Sequence, residues 1–208
     1  MIKTGSEDLD KFLAGYEENS LTTIYGEAGS GKTTLCLLIA IEFALNNKKV
    51  LFLDTESNFS TERFEQLLKG RNKECLKNIL ILKIKNFNLQ HTQIKSLEGI
   101  KKISLIIVDS ITHHFRRLNN KEPELAKGML AKQLIILKDT SKNNMPVLIT
   151  SQVYSNMKNG ILPVGKEVIN KFTKNIIKLE KNPRKIINEA TDKSANFEIN
   201  NEGIKIND

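Results

Sequence analysis

Residues 24–35 read IYGEAGSGKTTL and place a glycine-rich turn between two apolar segments. An apolar run typical of a β-strand precedes the turn at Leu21–Tyr25, and a helical pattern follows it at Lys32–Asn46. This order of strand, glycine-rich turn and helix is the context that distinguishes a phosphate-binding P-loop from a chance match. This order limits the chain to folds in which a buried strand is followed directly by a helix.

The turn combines three features that favour phosphate binding. Its glycines let backbone N–H groups converge without an obstructing Cβ, and the following helix adds the partial positive charge of its N-terminus. We expect Lys32 to contact the β- and γ-phosphates of a nucleotide and the Thr33 hydroxyl to bind Mg²⁺. An ordinary glycine-rich turn that caps a helix is the alternative. The predicted nucleotide-binding segment comprises Gly26, Glu27, Ala28, Gly29, Ser30, Gly31, Lys32, Thr33 and Thr34.

Apolar runs and helical patterns alternate along most of the chain. The strand-like runs are Leu21–Tyr25, Val50–Leu53, Ile79–Ile84, Leu105–Val108, Val147–Thr150 and Ile176–Leu179. The helical patterns are Lys32–Asn46, Ser60–Leu68, His91–Lys101 and Glu124–Asn143. Continuous apolar runs suit strands that crossover helices bury on both faces. The sequence therefore predicts an α/β fold with a mostly parallel central sheet flanked by helices.

The C-terminal segment has a different pattern. RKIINEA, NFEIN and GIKIN are short, alternating and closely spaced, which predicts an antiparallel extension at the edge of the sheet. We find no internal repeat and no low-complexity linker. Residues 1–208 are therefore expected to form a single domain.

Composition indicates the kind of partner. No apolar run approaches the roughly 20 residues of a membrane span, and the N-terminal MIKTGSEDLDK lacks a hydrophobic signal. We expect a cytoplasmic protein with no membrane partner.

The two cysteines, Cys36 and Cys75, form neither a disulfide framework nor a metal cluster. The net charge of +8 favours an acidic partner such as nucleic acid. Lysines scattered by a compositional bias would instead bind nothing in particular.

Acidic residues follow two further strands, where α/β sheets bind ligands. LIIVDS ends its apolar run at Asp109, whose carboxylate could support the water shell of Mg²⁺. LFLDTESNFSTERF carries Asp54 and Glu56 after its strand. Glu56 is the better candidate to orient a water molecule that attacks the γ-phosphate. A capping role before the helix near Ser60 fits either carboxylate.

Two more side chains suit a nucleotide site. Gln152 follows the run VLITS, and its amide could hydrogen-bond the γ-phosphate and respond to its loss. Arg63 could lay its guanidinium on an adenine ring, or pack within its own helix beside Phe59 or Leu67.

Taken together, these motifs resemble the ATPase core of the RecA/RadA recombinase superfamily, and within it most of all the archaeal RadB proteins. TGSEDLDKFLAG, GEAGSGKTTL, LFLDTESNFSTERF, LIIVDSITHHFR and LITSQVYSN follow one another in the order and spacing of that superfamily. The resemblance implies a RecA-like P-loop ATPase core that uses ATP and Mg²⁺. By position it implies that Lys32 and Thr33 bind phosphate and metal, Asp109 supports the metal, Glu56 is the catalytic glutamate, Arg63 stacks on adenine and Gln152 senses the γ-phosphate.

Departures from the superfamily pattern limit the expected activity. Recombinases carry an N-terminal helical DNA-binding domain and a polymerisation phenylalanine, and we expect both to be absent here because the core starts near Met1. The first DNA loop reads KEPELAKGM, with Glu122 and Gly128 where arginines usually stand. The second, YSNMKNGILPVGKEV, offers Lys158 and Lys166 as its cations. We therefore expect weak ATP hydrolysis and no strand exchange.

The expected DNA contacts lie mainly in the stretch HHFRRLNNK. They are Arg116, Arg117 and Lys121, with Lys158 from the second loop, and Phe115 is placed to stack on the bases of single strands. The alternative is that Phe115 is buried and that the arginines pair with Glu122 and Glu124.

The implied role is that of an ATP-binding, DNA-binding accessory protein of recombination and repair. Single-stranded or branched DNA, a RadA-type recombinase and a junction nuclease are the expected partners. A second interpretation is an ATP-switched protein that regulates a recombinase or a nuclease without using DNA binding directly. A third, a small-molecule kinase, lacks an arginine-rich lid segment.

Overall fold

The computed structural model describes residues 3–13, 19–142, 145–156 and 160–207. The strands are β1 (Leu21–Gly26), β2 (Val50–Asp54), β3 (Ile79–Lys83), β4 (Leu105–Asp109), β5 (Val147–Ser151), β6 (Val153–Asn156), β7 (Gly160–Pro163), β8 (Asn175–Lys181), β9 (Arg184–Asn188), β10 (Lys193–Asn200) and β11 (Gly203–Asn207). The α-helices are α1 (Glu7–Leu13), α2 (Lys32–Leu45), α3 (Thr61–Leu68), α4 (Phe87–Lys95), α5 (His113–Asn119), α6 (Pro123–Ser141) and α7 (Lys166–Phe172), and Lys73–Asn78 forms a 3₁₀ helix.

The central sheet has the strand order β11-β10-β9-β8-β1-β5-β4-β2-β3. The pairs from β8 through β1, β5, β4 and β2 to β3 are parallel, whereas β8, β9, β10 and β11 pair in antiparallel fashion. Both the mostly parallel sheet and the antiparallel C-terminal extension are therefore confirmed. The parallel register brings the carboxyl ends of β1, β2, β4 and β5 to one edge, where Asp54 pairs with Asp109.

Helices cover both faces of the sheet, as the continuous apolar runs predict. In β2 the side chains of Val50 and Phe52 belong to the core beneath α2, and those of Leu51 and Leu53 belong to the core beneath α4 and α6. Every residue of β1, β2, β4 and β5 is buried for this reason. Among the described helices, none is long and apolar enough to span a membrane.

The structure corrects the helix boundaries where the hydrophobic pattern is weak. The helix expected at His91–Lys101 is α4, Phe87–Lys95, because Asn86 caps it by accepting a hydrogen bond from the Leu89 N–H at 2.8 Å. Gly99 lies in the turn beyond the helix with a φ of 74°. The sequence analysis did not separate α5 and α7, since seven residues give too few turns for a periodic pattern.

The antiparallel extension packs on the helix that follows the P-loop. Ile186, Phe197 and Ile204 are at most 5% exposed and belong to the same core as the buried side of α2. Leu38 of α2 would contact a Cβ added at Gly203, at 3.1 Å. The extension thus contributes to the core that positions the nucleotide-binding segment.

Phe197→Ala is expected to lower the free energy of unfolding by about 3–5 kcal/mol, the usual cost of deleting a buried phenyl ring. Tyr154→Ala is the control, because this aromatic side chain is 43% exposed and its loss should cost about 0.5 kcal/mol or less. Urea unfolding followed by far-ultraviolet circular dichroism measures both. We expect one cooperative transition. Two separate transitions, with only one shifted, would show that the extension folds as an independent unit.

Candidate nucleotide-binding site

The P-loop, the carboxyl ends of β2 and β4 and two residues of the antiparallel extension line one cavity of about 330 Å³. The P-loop, residues 27–31, joins the buried strand β1 to α2. Glu56 follows β2, Asp109 ends β4, and both line the cavity together with Lys32 and Thr33. The structure therefore brings together side chains that are up to 77 positions apart in the sequence, because their strands run parallel and end at the same edge.

Close contacts require glycine at both ends of the P-loop, at Gly31 and at Gly26, the last residue of β1. Gly31 caps α2 with a φ of 110°, and a Cβ there would lie 2.7 Å from Ile199 Cδ1. A Cβ at Gly26 would lie 2.3 Å from the Leu179 carbonyl oxygen. Glycine at these two positions therefore lets the turn lie close to the C-terminal strands.

Lys32 folds back over the P-loop. Its Nζ donates hydrogen bonds to the carbonyl oxygens of Gly26 at 2.8 Å and Glu27 at 2.9 Å. Burial lowers the pKa of Lys32, and the negative charges of Asp109 and Glu56 act in the opposite direction. A phosphate in the loop would add negative charge beside this ammonium, which would favour the charged form of Lys32 and oppose the effect of burial.

Thr33 and Asp109 form the part of the site that could hold a metal. Thr33 Oγ1 donates to Asp109 Oδ2 at 2.7 Å, and Thr150 Oγ1 donates to the other carboxylate oxygen. Burial raises the pKa of Asp109, which is 3% exposed, and the two hydroxyl donors lower it. A hydroxyl and a carboxylate oxygen side by side fit Mg²⁺, which prefers oxygen ligands and retains several waters. In the described ranges no cluster of three or more acidic, histidine or cysteine side chains offers a protein-only metal cage.

Glu56 is held at the rim of the cavity by three donors. Its Oε1 accepts from Ser110 Oγ at 2.7 Å and from Gln152 Nε2 at 3.0 Å, and its Oε2 accepts from Asn58 Nδ2 at 3.2 Å. The side chain is 20% exposed. The carboxylate is thus fixed in orientation but still reachable by water, which is what a group that positions an attacking water requires.

Asp54 and Glu56, which the sequence leaves as equivalent candidates for capping, have different surroundings. Asp54 is 1% exposed, and its carboxylate accepts hydrogen bonds from the N–H groups of Asn58 at 3.1 Å and Phe59 at 3.2 Å. Ser60 caps α3 by accepting from the Arg63 N–H at 3.1 Å. The structural role therefore belongs to Asp54 and Ser60, and Glu56 remains available to the cavity.

His113 is a site residue that the sequence analysis missed. Its Nδ1 lies 3.3 Å from Gln152 Nε2 and 3.9 Å from Glu56 Oε1, and its side chain is 37% exposed. The adjacent His114 is buried against the Ile84 carbonyl oxygen at 2.9 Å, and burial lowers its pKa. The sequence shows two adjacent histidines after the strand that ends in Asp109. Which of the two rings faces the site depends on where α5 begins, and the sequence does not show that.

Arg63 does not lie with the other predicted residues. Its Nη2 donates to the Asn200 carbonyl oxygen at 2.8 Å and its Nη1 to Gln66 Oε1 at 3.0 Å. It therefore links α3 to the turn between β10 and β11. Hydrogen bonds in the guanidinium plane do not prevent stacking through its face, so the adenine-stacking role of Arg63 remains a prediction.

The expected DNA-binding residues are placed by α5. Arg116, Arg117 and Lys121 are exposed, and none of the ion pairs between described residues joins them to Glu122 or Glu124. The expectation that Phe115 stacks on bases is wrong, because Phe115 is 2% exposed and packs edge-on against Phe87 with ring centroids 6.1 Å apart. Lys158 lies outside the described residues.

Comparison with known proteins gives one consistent relationship. The sequence profile of the Rad51 family matches residues 1–205. The "DNA repair and recombination protein RadB" of Methanococcoides burtonii is 36% identical over 187 residues, covering 86% of this chain and 83% of the relative. The protein of the same description from Methanosphaera stadtmanae is 33% identical over 221 aligned residues, covering 98% and 95%. A solved structure described as "Crystal structure of the RadB recombinase" superposes with a TM-score of 0.83, at 32% identity and 98% coverage of both chains. The chain therefore belongs to the Rad51 family and, within it, to the RadB group of DNA repair and recombination proteins.

Proposed function

We propose that this protein is an ATP-binding and DNA-binding accessory protein of homologous recombination and repair, which hydrolyses ATP weakly and performs no strand exchange of its own. One observation carries the nucleotide part of the proposal. Lys32, Thr33, Asp109 and Glu56 line a single cavity at the carboxyl edge of the sheet. Gln152 joins them through its hydrogen bond to Glu56. The RadB relatives support the assignment to recombination and repair.

The geometry suggests a separate role for each side chain in ATP binding and hydrolysis. The P-loop N–H groups and Lys32 would bind the phosphates, and Thr33 and Asp109 would hold Mg²⁺, whose positive charge would offset that of the phosphates. Ser110 and Gln152 donate to Oε1 of Glu56, whereas among the described residues Oε2 accepts only from the exposed Asn58, at 3.2 Å. Oε2 is therefore the oxygen that can take a proton from an attacking water.

The exposure of this edge of the sheet to solvent supports the proposal of weak hydrolysis. Glu56 is 20% exposed and His113 is 37% exposed, so bulk water reaches the groups that would act on the γ-phosphate. Electrostatic stabilisation of a transition state is worth far more in a site that excludes water. A second macromolecule that covers this edge would be needed for rapid turnover.

The proposed DNA surface lies directly beyond the nucleotide site. Strand β4 ends at Asp109, and α5 starts four residues later with His113 and presents Arg116 and Arg117 to solvent. With Phe115 buried, binding through this surface rests on phosphate contacts and carries no base stacking. We propose single-stranded or branched DNA as the ligand, and a RadA-type recombinase and a junction nuclease as protein partners.

A second candidate function is an ATP-switched interaction protein that regulates a recombinase or nuclease without using DNA binding directly. Three contacts of Gln152 favour it. Gln152 Nε2 reaches both Glu56 and His113, and the Gln152 N–H donates to Thr112 Oγ1 at 2.9 Å, so the base of α5 is tied to the γ-phosphate end of the site. Loss of the γ-phosphate could then move α5 whatever α5 binds. The salt dependence of DNA affinity separates the two functions, because phosphate contacts give a steep slope.

Lys32→Ala is expected to weaken Mg·ATP binding at least about 100-fold, since hydrogen bonds to charged groups contribute about 1.5–3 kcal/mol each and Lys32 would form more than one. Lys95→Ala, at the exposed end of α4, serves as the matched control and should bind like the parent. Titration with a fluorescent ATP analogue measures both affinities. An unchanged affinity in Lys32→Ala would refute the P-loop assignment.

Glu56→Gln should lower ATP turnover by about 10²–10⁴-fold while ATP affinity stays within a few-fold of the parent, because only proton acceptance is lost. The amide oxygen of glutamine can still accept from Ser110 and Gln152. Glu62→Gln, an exposed change in the first turn of α3, is the control. Phosphate release under single-turnover conditions gives the rate, and a rate indifferent to Glu56 would exclude this role.

Arg116→Ala combined with Arg117→Ala should weaken DNA binding at all sequences and lower the salt slope by about one to two units, near 0.9 per lost duplex phosphate contact. ATP affinity should not change. Lys48→Ala with Lys49→Ala removes an adjacent exposed pair before β2, at the opposite edge of the sheet, and is the control. Fluorescence anisotropy over a range of salt measures the slope. A double variant with the parental slope would place the DNA surface elsewhere, and the absence of any salt-dependent binding in the parent would favour the interaction protein.

A further inference from the structure

The basic residues at the turn between β8 and β9 fall on two different faces of the sheet. Side chains alternate along a strand, and Ile186 of β9 is fully buried in the core beneath α2, so Arg184 lies on the α2 face and Lys185 on the other. Lys181, paired with Arg184 across the hairpin, shares its face with the buried Leu179 of β8. Lys181, Arg184 and Lys185 are close together in the sequence. In the structure Lys181 and Arg184 lie on the P-loop side of the sheet, and Lys185 lies on the opposite side.

Arg184 contacts the P-loop directly. Its Nη1 donates hydrogen bonds to the carbonyl oxygens of Gly29 at 3.1 Å and Ser30 at 3.5 Å. The guanidinium carbon lies 6.0 Å from the centre of the Phe197 ring, on the neighbouring strand. Arg184 also lines the 330 Å³ cavity together with Lys32 and Thr33. Lys181 extends the positive charge, since its Nζ would lie 3.7 Å from a Cβ at Gly29.

The charge of Arg184 is available to an anion. Among the described residues, no carboxylate forms an ion pair with Arg184, and the side chain donates hydrogen bonds to them through Nη1 alone. A guanidinium has five N–H donors, so those on Nε and Nη2 have no acceptor in this part of the chain. Arginine donors match phosphate oxygens in geometry, and a partly buried, unneutralised cation beside a phosphate loop is well suited to that ligand.

We propose that Arg184 is a second nucleotide-binding cation, which holds the P-loop through Nη1 and contacts the phosphates of a bound nucleoside triphosphate with its remaining donors. Lys181 adds charge at the tip of the same loop. The proposal deepens the proposed function and rests on it, because it assumes that the P-loop binds ATP. It also gives the antiparallel extension a direct part in ligand binding, beyond its packing on α2.

Four variants test the proposal by equilibrium binding of a fluorescent ATP analogue with Mg²⁺ at low and high salt. Arg184→Ala is expected to weaken ATP binding about tenfold, the size of one charge-assisted hydrogen bond, with a smaller effect at high salt. Arg184→Met keeps an apolar stem over Phe197 without the charge and should lose as much. Arg184→Lys should recover part of the affinity. Lys185→Ala, one residue further and on the opposite face, should bind ATP like the parent.

The outcomes separate the possible roles of Arg184. Parental ATP affinity in Arg184→Met, with a loss only in Arg184→Ala, would show that the side chain acts through packing and would overturn the proposal. Parental ATP affinity in all Arg184 variants, with a loss in Lys32→Ala, would overturn it and leave the proposed function standing. If Lys32→Ala also binds ATP normally, the proposed function itself fails. A loss of DNA affinity in Arg184→Ala without a loss of ATP affinity would reassign this turn to DNA and would equally overturn the proposal.

Discussion

The hydrogen bond from Thr33 to Asp109 connects the elements on which the site depends. It joins the first turn of α2 to the end of β4, and Thr150 holds the second oxygen of the same carboxylate from β5. These contacts are possible because β1, β5 and β4 are parallel neighbours whose carboxyl ends coincide. Burial raises the pKa of Asp109, so the carboxylate is held where its charge is costly to the folded protein. A divalent cation nearby would offset that cost, which ties stability to the ligand.

The sheet and much of the site follow from local patterns in the sequence. Continuous apolar runs separated by helical patterns are sufficient for a parallel sheet with both faces covered, since few other folds bury strands in this way. The P-loop spacing places Lys32 and Thr33, and a polar residue that ends an apolar run must emerge at the carboxyl edge. For this reason the sequence alone predicts that Asp109, Glu56 and Gln152 lie at the same edge of the sheet.

What the sequence could not show depends on the rotation of short elements and on register between distant strands. Phe115 stands beside two arginines in the sequence, but seven residues of helix turn its ring inward against Phe87. Arg63 carries a familiar spacing, but nothing in α3 alone indicates that the carbonyl oxygen of Asn200 at the end of β10 accepts a hydrogen bond from it. Arg184 approaches the P-loop only because β8 pairs with β1 and the hairpin then returns beside it. None of these contacts has a signal within one segment of sequence.

The inward position of Phe115 has a consequence for the energetics of binding. Because its ring is buried in the core shared by α4, α5 and α6, the backbone of α5 is ordered by packing, and Arg116 and Arg117 project from it into solvent. A flexible loop that closes on a polyanion loses backbone entropy, at roughly 1–2 kcal/mol per residue ordered. The backbone of a helix packed on the core is already ordered in the free protein, so binding has to order only the arginine side chains. Its affinity for a polyanion would therefore depend mainly on charge and counterion release, with little penalty for organising the surface.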